Sequence, residues 1–227
     1  MTQIVFNNVT KQFSTTVKAL DNVTFSIEPG EFVFLVGPSG AGKSTLIKML
    51  IREDMPTAGS IIFNDENILE YTHKELPALR RRIGVVFQDF KVLRSKTVFE
   101  NVAVALDVAG VPMYEIENVV PNVLNLVGLL DKIHRMPHQL SGGELQRLAI
   151  ARALAHEPDV IVADEPTGNI DPKASEDILS IFKQINELGT TILMSTHDKE
   201  LVDSLKKRVL KLENGILVSD KKGAKYD

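Results

Sequence analysis

The stretch "FVFLVGPSGAGKSTLIKML", Phe32 to Leu50, decides the fold. Its opening, Phe32 to Val36, is apolar without a break. That is the pattern of a strand buried on both faces of a parallel sheet. The middle, Gly37 to Ser44, fits the spacing G-x-x-x-x-G-K-[ST], and a helix-like run follows it. Strand, glycine-rich turn and helix in this order make a phosphate cradle. The glycines let backbone N–H groups come close to phosphate oxygens, and the helix N-terminus adds partial positive charge. The expected cradle is Ser39, Gly40, Ala41, Gly42, Lys43, Ser44 and Thr45. Lys43 reaches the β- and γ-phosphates of a nucleoside triphosphate, and Ser44 offers a hydroxyl to Mg²⁺.

Similar apolar runs lie further along: Ile83–Gln88, Val160–Glu165 and Thr191–Thr196. Each ends in polar residues. Ligands of parallel sheets bind beyond the carboxyl ends of the strands, so the residues at those ends are the candidates for chemistry. Asp164 is expected to hold Mg²⁺ through water. Glu165 is expected to accept a hydrogen bond from an attacking water, as base or positioning group. His197 is expected to contact the γ-phosphate or orient that water. Gln88 is expected to touch the metal or the same water. The other four histidines have no metal-ligand spacing.

Before and between these runs lie short β-rich segments, Ile4–Phe13, Val17–Phe32 and Gly59–Ile68, separated by turn residues. They predict antiparallel strands. The segment Thr97–Pro158 is mostly helical in pattern, broken at Gly110–Pro112 and at Met136-Pro137. Thr72 to Glu75, "THKE", has capping-box spacing. Asn214-Gly215 predicts a hairpin turn. The tail "KKGAKYD" from Lys221 is expected to fray. The fold class is therefore α/β. A P-loop core carries an N-terminal antiparallel β subdomain (about 1–30 and 59–70) and an inserted helical subdomain (about 89–158).

Composition narrows the options. A formal net charge of −4 does not favour general nucleic-acid or anionic-membrane affinity. The basic runs Arg80–Arg82 and Lys206–Arg208 are expected to be solvated faces. Cysteine is absent, which excludes disulfides and thiolate metal sites. The N-terminus lacks the features of a secretory signal, and no apolar run is long enough to span a bilayer. Any work at a membrane then needs another chain to hold this one there.

A second phosphate-facing element is "LSGGE", Leu140 to Glu144. Ser141 and Glu144 have capping-box spacing. Glycine in a first helical turn costs up to ~1 kcal/mol against alanine, so two in succession suggest a close approach to the backbone. A γ-phosphate bound by Ser141 and the N–H groups of Gly142 and Gly143 is the simple candidate.

Taken in order, "GPSGAGKST", Gln88, "LSGGE", "VIVADEP", "NID" and His197 resemble the ATP-binding cassette family over nearly the whole chain. The resemblance implies a RecA-like P-loop NTPase fold and an ATPase needing ATP and Mg²⁺. It also implies a head-to-tail homodimer in which each ATP lies between the P-loop of one protomer and the "LSGGE" of the other. Asp171 then lines the dimer seam, although "GNID" departs from the family's usual residues before that aspartate. Phe13 is either an ordinary strand residue or, by the resemblance, the aromatic that stacks on adenine. The long coiled coils of DNA-repair cassettes and the doubled cassettes of translation factors are absent.

The stretch Leu79–Leu106 and "DEPTGNID" resemble a bacterial cell-division subgroup of that family. This resemblance implies an integral membrane partner that controls peptidoglycan hydrolases, and a peripheral location on the cytoplasmic side at the division site. Arg94 departs from it, where proline is usual. The coupling surface is expected between Gln88 and Val98, with Phe90, Val92 and Leu93 as contacts or as internal packing. Three readings stay open: a mechanotransmitting ATPase, a nucleotide-dependent division scaffold, and the ATPase of a lipoprotein-release or macrolide-type export complex.

Overall fold

The computed structural model describes residues 2–14 and 17–223. Two strands open the chain, β1 (Ile4–Gln12) and β2 (Lys18–Ile27), and pair antiparallel. Alternation in β1 sends Ile4 and Phe6 into the core, and a register shift after Phe6, with Asn8 at φ 50°, turns Val9 inward as well. The strand β3 (Phe32–Val36) follows, with all five side chains buried, and leads into α1 (Lys43–Leu50). Burying each large apolar side chain contributes about 1.5–3 kcal/mol, so this short strand anchors the loop that follows it. Strands β4 (Ala58–Phe63) and β5 (Glu66–Asn67) complete a four-stranded antiparallel sheet in the order β2-β1-β4-β5.

A second sheet begins after α2 (Leu76–Arg82), with β6 (Ile83–Phe87). The helices α3 (Val98–Val108), α4 (Met113–Leu126) and α5 (Gly142–Leu154) come next, then β7 (Val160–Asp164) and α6 (Pro172–Glu187). Strand β8 (Thr191–Thr196), α7 (Lys199–Leu205), β9 (Arg208–Glu213) and β10 (Ile216–Lys221) close the chain. The sheet order is β10-β9-β3-β8-β7-β6, parallel except for the β9–β10 hairpin. The apolar core has two parts. One lies between this sheet and the antiparallel sheet with α1. The other runs without interruption from Phe34 through Val102 of α3 and Leu148 of α5 to Phe182 of α6, so the inserted helices share their packing with the main sheet.

Register aligns the strand ends. Val36 lies opposite Thr196, Ser195 opposite Asp164, and Asp164 opposite Phe87. The residues just beyond these positions are Gly37, His197, Glu165 and Gln88. Four separate stretches of chain are thereby brought to one sheet edge.

Some expectations need correction. Thr72 does not cap a helix. The Glu75 carboxylate accepts from the Thr72 N–H at 2.7 Å, but Thr72 to Glu75 close a turn and α2 begins at Leu76. The run Arg80–Arg82 is exposed as expected, whereas Lys207 and Arg208 are partly buried, and both runs also tie segments together. Arg80 donates to the carbonyls of Ile51 and Arg52, Arg82 pairs with Asp159 at 2.8 Å, and Arg208 bridges Glu31 and Asp220. Each spends its guanidinium on joining distant segments. The tail departs from expectation at its start, because Lys221 pairs with Val209 in β10; Ala224 to Asp227 lie outside the described residues. Thr15 and Thr16 also lie outside them.

Candidate functional site

The loop after β3 enters α1 through Gly42, whose φ of 105° is open to glycine and strained for other residues. A Cβ there would also stand 2.6 Å from the Ala19 carbonyl oxygen and 2.7 Å from Leu20. The turn therefore needs glycine twice over, for its dihedral and for its contact with β2. The loop walls a cavity of about 180 Å³ lined by Ala19, the run Ser39–Thr45 and Glu165. The Lys43 ammonium donates to the carbonyls of Gly37 at 2.8 Å and Pro38 at 3.2 Å, and stands 3.7 Å from Glu165 Oε1. Only 6% of the Lys43 side chain is exposed, so this cation acts with little screening.

Glu165 is the centre of the arrangement. Its other carboxylate oxygen lies 3.2 Å from His197 Nδ1. Its backbone sits at φ 48°, the left-handed region, which costs a residue with a Cβ about 1–2 kcal/mol. Ser195 holds that conformation. Its hydroxyl accepts from the Glu165 N–H at 3.0 Å and donates to Asp164 Oδ1 at 2.6 Å. Ser195 is fully buried on β8. In the sequence Ser195 stands as one more residue of an apolar run, with nothing local to mark its partners.

Beside this cavity a polar cleft of about 580 Å³ is bordered by Gln88, Asp89, Asp164 and Asn169. Gln88 Nε2 donates to Asn169 Oδ1 at 3.3 Å. Oxygen donors suited to a hard cation are thus the Ser44 hydroxyl, the Gln88 amide and the Asp164 carboxylate. No group of three or more His, Cys, Asp or Glu side chains able to hold a metal occurs among the described residues.

The "LSGGE" end is elsewhere. Ser141 caps α5, with its hydroxyl accepting from the Glu144 N–H at 3.3 Å while Glu144 accepts from the Ser141 N–H at 2.8 Å. Lys132 also binds the Glu144 carboxylate, and these contacts hold its pKa below the usual value, Lys132 first and the Ser141 N–H next. Gly143 has an intrachain reason for being glycine: a Cβ would come within 2.8 Å of the Ala174 Cβ on α6. Gly142 is exposed, and a Cβ there meets nothing closer than 3.6 Å. The close-approach reading of two glycines thus applies with its original force to Gly142 alone.

The chain therefore brings together Lys43, Ser44, Glu165 and His197, with Gln88 and Asp164 in the adjoining cleft. Ser141, Gly142, Gly143 and Phe13 line neither space. Phe13 is 58% exposed with the Lys11 ammonium 4.8 Å from its ring centre. Asp171 caps α6 by accepting from the Ala174 N–H at 3.0 Å.

A family model described as ABC transporter matches residues 20–168. Among curated relatives, proteins named cell division ATP-binding protein FtsE are similar to nearly the whole chain. The one from Bacillus subtilis is 51% identical over 223 residues, 98% of each chain. The one from Mycobacterium tuberculosis is 48% identical over 224 residues, 98% of this chain and 97% of its own. Two solved structures match the fold and much of the sequence. One is cbiO1 of Clostridium perfringens, part of the cbiONQ transporter complex, with TM-score 0.90, 30% identity and coverage of 98% of this chain and 89% of that one. The other is a dimeric ATP-binding cassette in a post-hydrolysis state bound to ADP and Pi, with TM-score 0.86, 34% identity and coverage of 98% and 100%.

Proposed function

Because this chain belongs to the ATP-binding cassette family and is an ATPase, we propose that it powers a cell-division complex through an ATP-driven dimer clamp. One observation carries the chemistry: Glu165 stands between Lys43 and His197 at the mouth of the phosphate cradle. The Glu165 carboxylate accepts a hydrogen bond from the attacking water and takes its proton as the bond to the γ-phosphorus forms, while the bond from that phosphorus to the β–γ bridging oxygen breaks and ADP leaves. His197 fixes the carboxylate through Nδ1. Lys43 balances charge on the phosphoryl oxygens, and the N–H groups of Ser39 to Thr45 bind the phosphate chain. Ser44, Gln88 and Asp164 hold Mg²⁺, which when bound neutralises phosphate charge. Phe13 stacks on the adenine.

The second phosphate-facing end belongs to the partner protomer's nucleotide. Ser141 and the backbone of Gly142 and Gly143 serve the γ-phosphate held by the other copy's P-loop. Ser141, Gly142 and Gly143 do not line their own chain's cradle, which supports that reading, as does the dimeric state of the similar cassette.

No helix among the described residues is long and apolar enough to cross a membrane. The membrane partner we propose is an integral protein resembling FtsX, engaged from the cytoplasmic side at the division site and controlling peptidoglycan hydrolases outside. Its contact is the groove of about 560 Å³ lined by Leu93, Val104 and Val108 together with Arg81, Arg152 and His156. Val108 is 82% exposed, whereas Phe90 and Val92 are partly buried against the core. Of the three, Leu93 is the exposed one and the one that lines this groove.

The test is complementation in cells depleted of the native chain. Wild type restores septation and Glu165→Gln does not. Full rescue by the hydrolysis-dead variant would favour a scaffold over an engine. Capture of a transport permease in place of an FtsX-like protein would overturn the division role.

A further inference from the structure

We propose that Arg152 is a positioning residue for hydrolysis: it pins the loop that carries Gln88 to the helix that carries Ser141. The inference rests on the ATPase reading above. Three residues past β6 the chain takes two consecutive left-handed positions, Phe90 at φ 61° and Lys91 at φ 49°. For a bulky aromatic that conformation is a genuine outlier. Two such residues in succession persist only where neighbours over-determine them.

Arg152 supplies that constraint. Its Nη1 donates to the Lys91 carbonyl at 2.7 Å and its Nη2 to the Phe90 carbonyl at 3.2 Å. A planar guanidinium presents two donors in a fixed fork, which suits two adjacent carbonyls; a lysine ammonium is a single point and cannot span them in the same way. One turn and a half earlier on α5, Gln146 Nε2 donates to the Phe87 carbonyl at 3.4 Å, just before Gln88. The Gln146 side chain is fully buried and its Oε1 has no partner among the described residues. Burying an unpaired amide oxygen costs stability, so Gln146 is a poor choice for packing alone and a reasonable one for gripping this strand end.

The consequence is mechanical. The helix α5 begins at the Ser141 cap and holds the loop eleven residues on, about 16 Å along its axis. A shift of the loop that moves Gln88 at one nucleotide must either break these bonds or carry α5, and with it the end that serves the other nucleotide.

The experiment measures ATPase rate, ATP affinity and Mg²⁺ dependence in full-length chains carrying Arg152→Met, Arg152→Lys, Lys91→Gly and the double change Arg152→Met with Lys91→Gly. Arg152→Met should lose about tenfold in kcat, as expected when a group near the chemistry is displaced by a fraction of an ångström to 1 Å. ATP affinity should stay within about twofold, because the P-loop cradle is untouched. The Mg²⁺ concentration for half-maximal rate should rise. Lys91 lines the cleft of Gln88 and Asp164 and pairs with Asp89 at 2.5 Å, so Lys91→Gly alone is the reference for the double variant. Against that reference Arg152→Met should lose no more than about threefold, because glycine adopts the left-handed turn without the clamp. Arg152→Lys should resemble Arg152→Met. Should Arg152→Met not fold, Arg152→Lys against its own Lys91→Gly double decides the matter in the same way. An Arg152 variant that turns over like wild type, or one that loses rate and ATP binding together with no glycine rescue, overturns the proposal. A wild-type chain without Mg²⁺-dependent turnover would instead overturn the reading on which it rests.

Discussion

Ser195 holds Glu165 twice: both its hydroxyl at 3.0 Å and its carbonyl at 3.1 Å accept from the Glu165 N–H. The same hydroxyl donates to Asp164. One buried side chain on β8 thus sets the backbone of the proposed base and the carboxylate of the proposed metal ligand. Ser195→Ala should remove a net ~1 kcal/mol of stability and lower kcat with little change in KM. Steady-state kinetics beside a thermal melt check this. A raised KM with unchanged kcat would place the role of Ser195 in binding.

The glycines of "LSGGE" should separate on substitution. Gly143→Ala forces a Cβ against Ala174 and should cost about 1–3 kcal/mol through overpacking. In a chain of this size that lowers the melting temperature by roughly 2–4 °C per kcal/mol. Gly142→Ala has room, and alanine is the better helix former. It should leave the melting temperature unchanged or raised while reducing ATP turnover.

Glu144 gives a pH signature. Its folded pKa is lowered, first by Lys132 and then by the Ser141 N–H. A depressed carboxyl pKa contributes stability that is present above the ordinary carboxylate value and lost as pH falls through the folded value. Glu144→Gln should therefore melt below wild type at pH 7. The gap should close as the pH drops below about 4. Melting curves across that range test it, and a gap independent of pH would assign the loss to packing.

Phe13 is exposed and touches no core residue cluster, so Phe13→Ala should leave stability unchanged. If the ring stacks on adenine, ATP affinity should fall by about tenfold, the scale of one base–aromatic stack. A variant that binds ATP like wild type would return Phe13 to an ordinary strand residue.

Much of the fold was legible because its main strands are continuous apolar runs. Phe32–Val36, Val160–Asp164 and Thr191–Thr196 are buried at nearly every position, and such runs have few alternatives. Parallel register then carries Gln88, Glu165 and His197 to one edge without further information. The hairpin at Asn214-Gly215 was legible too, but not that β9 adds in parallel beside β3, since partner choice leaves no local mark. The least legible parts are side chains that act on distant backbone. Asn101 is fully buried and hydrogen-bonds Leu93, Lys96 and Thr97. It shapes the loop after Gln88 from inside a helix whose pattern reads as ordinary. Ser195 and Arg152 are of the same kind: a hydroxyl in an apolar strand and one of several polar side chains on α5, whose partners lie 30 and about 60 residues away. The glycine pair shows the converse. Gly143 carried a functional suggestion in sequence, and its neighbour Ala174 supplies a packing reason for the same residue.

The most direct measurement is ATP turnover and sedimentation of Glu165→Gln beside wild type, with saturating ATP and Mg²⁺. Loss of the base should cut turnover by at least about 100-fold, keep ATP bound, and convert the chain from monomer to a stable dimer, alone or with its membrane subunit. Undiminished hydrolysis, or a chain that stays monomeric with ATP bound in both settings, would contradict the account.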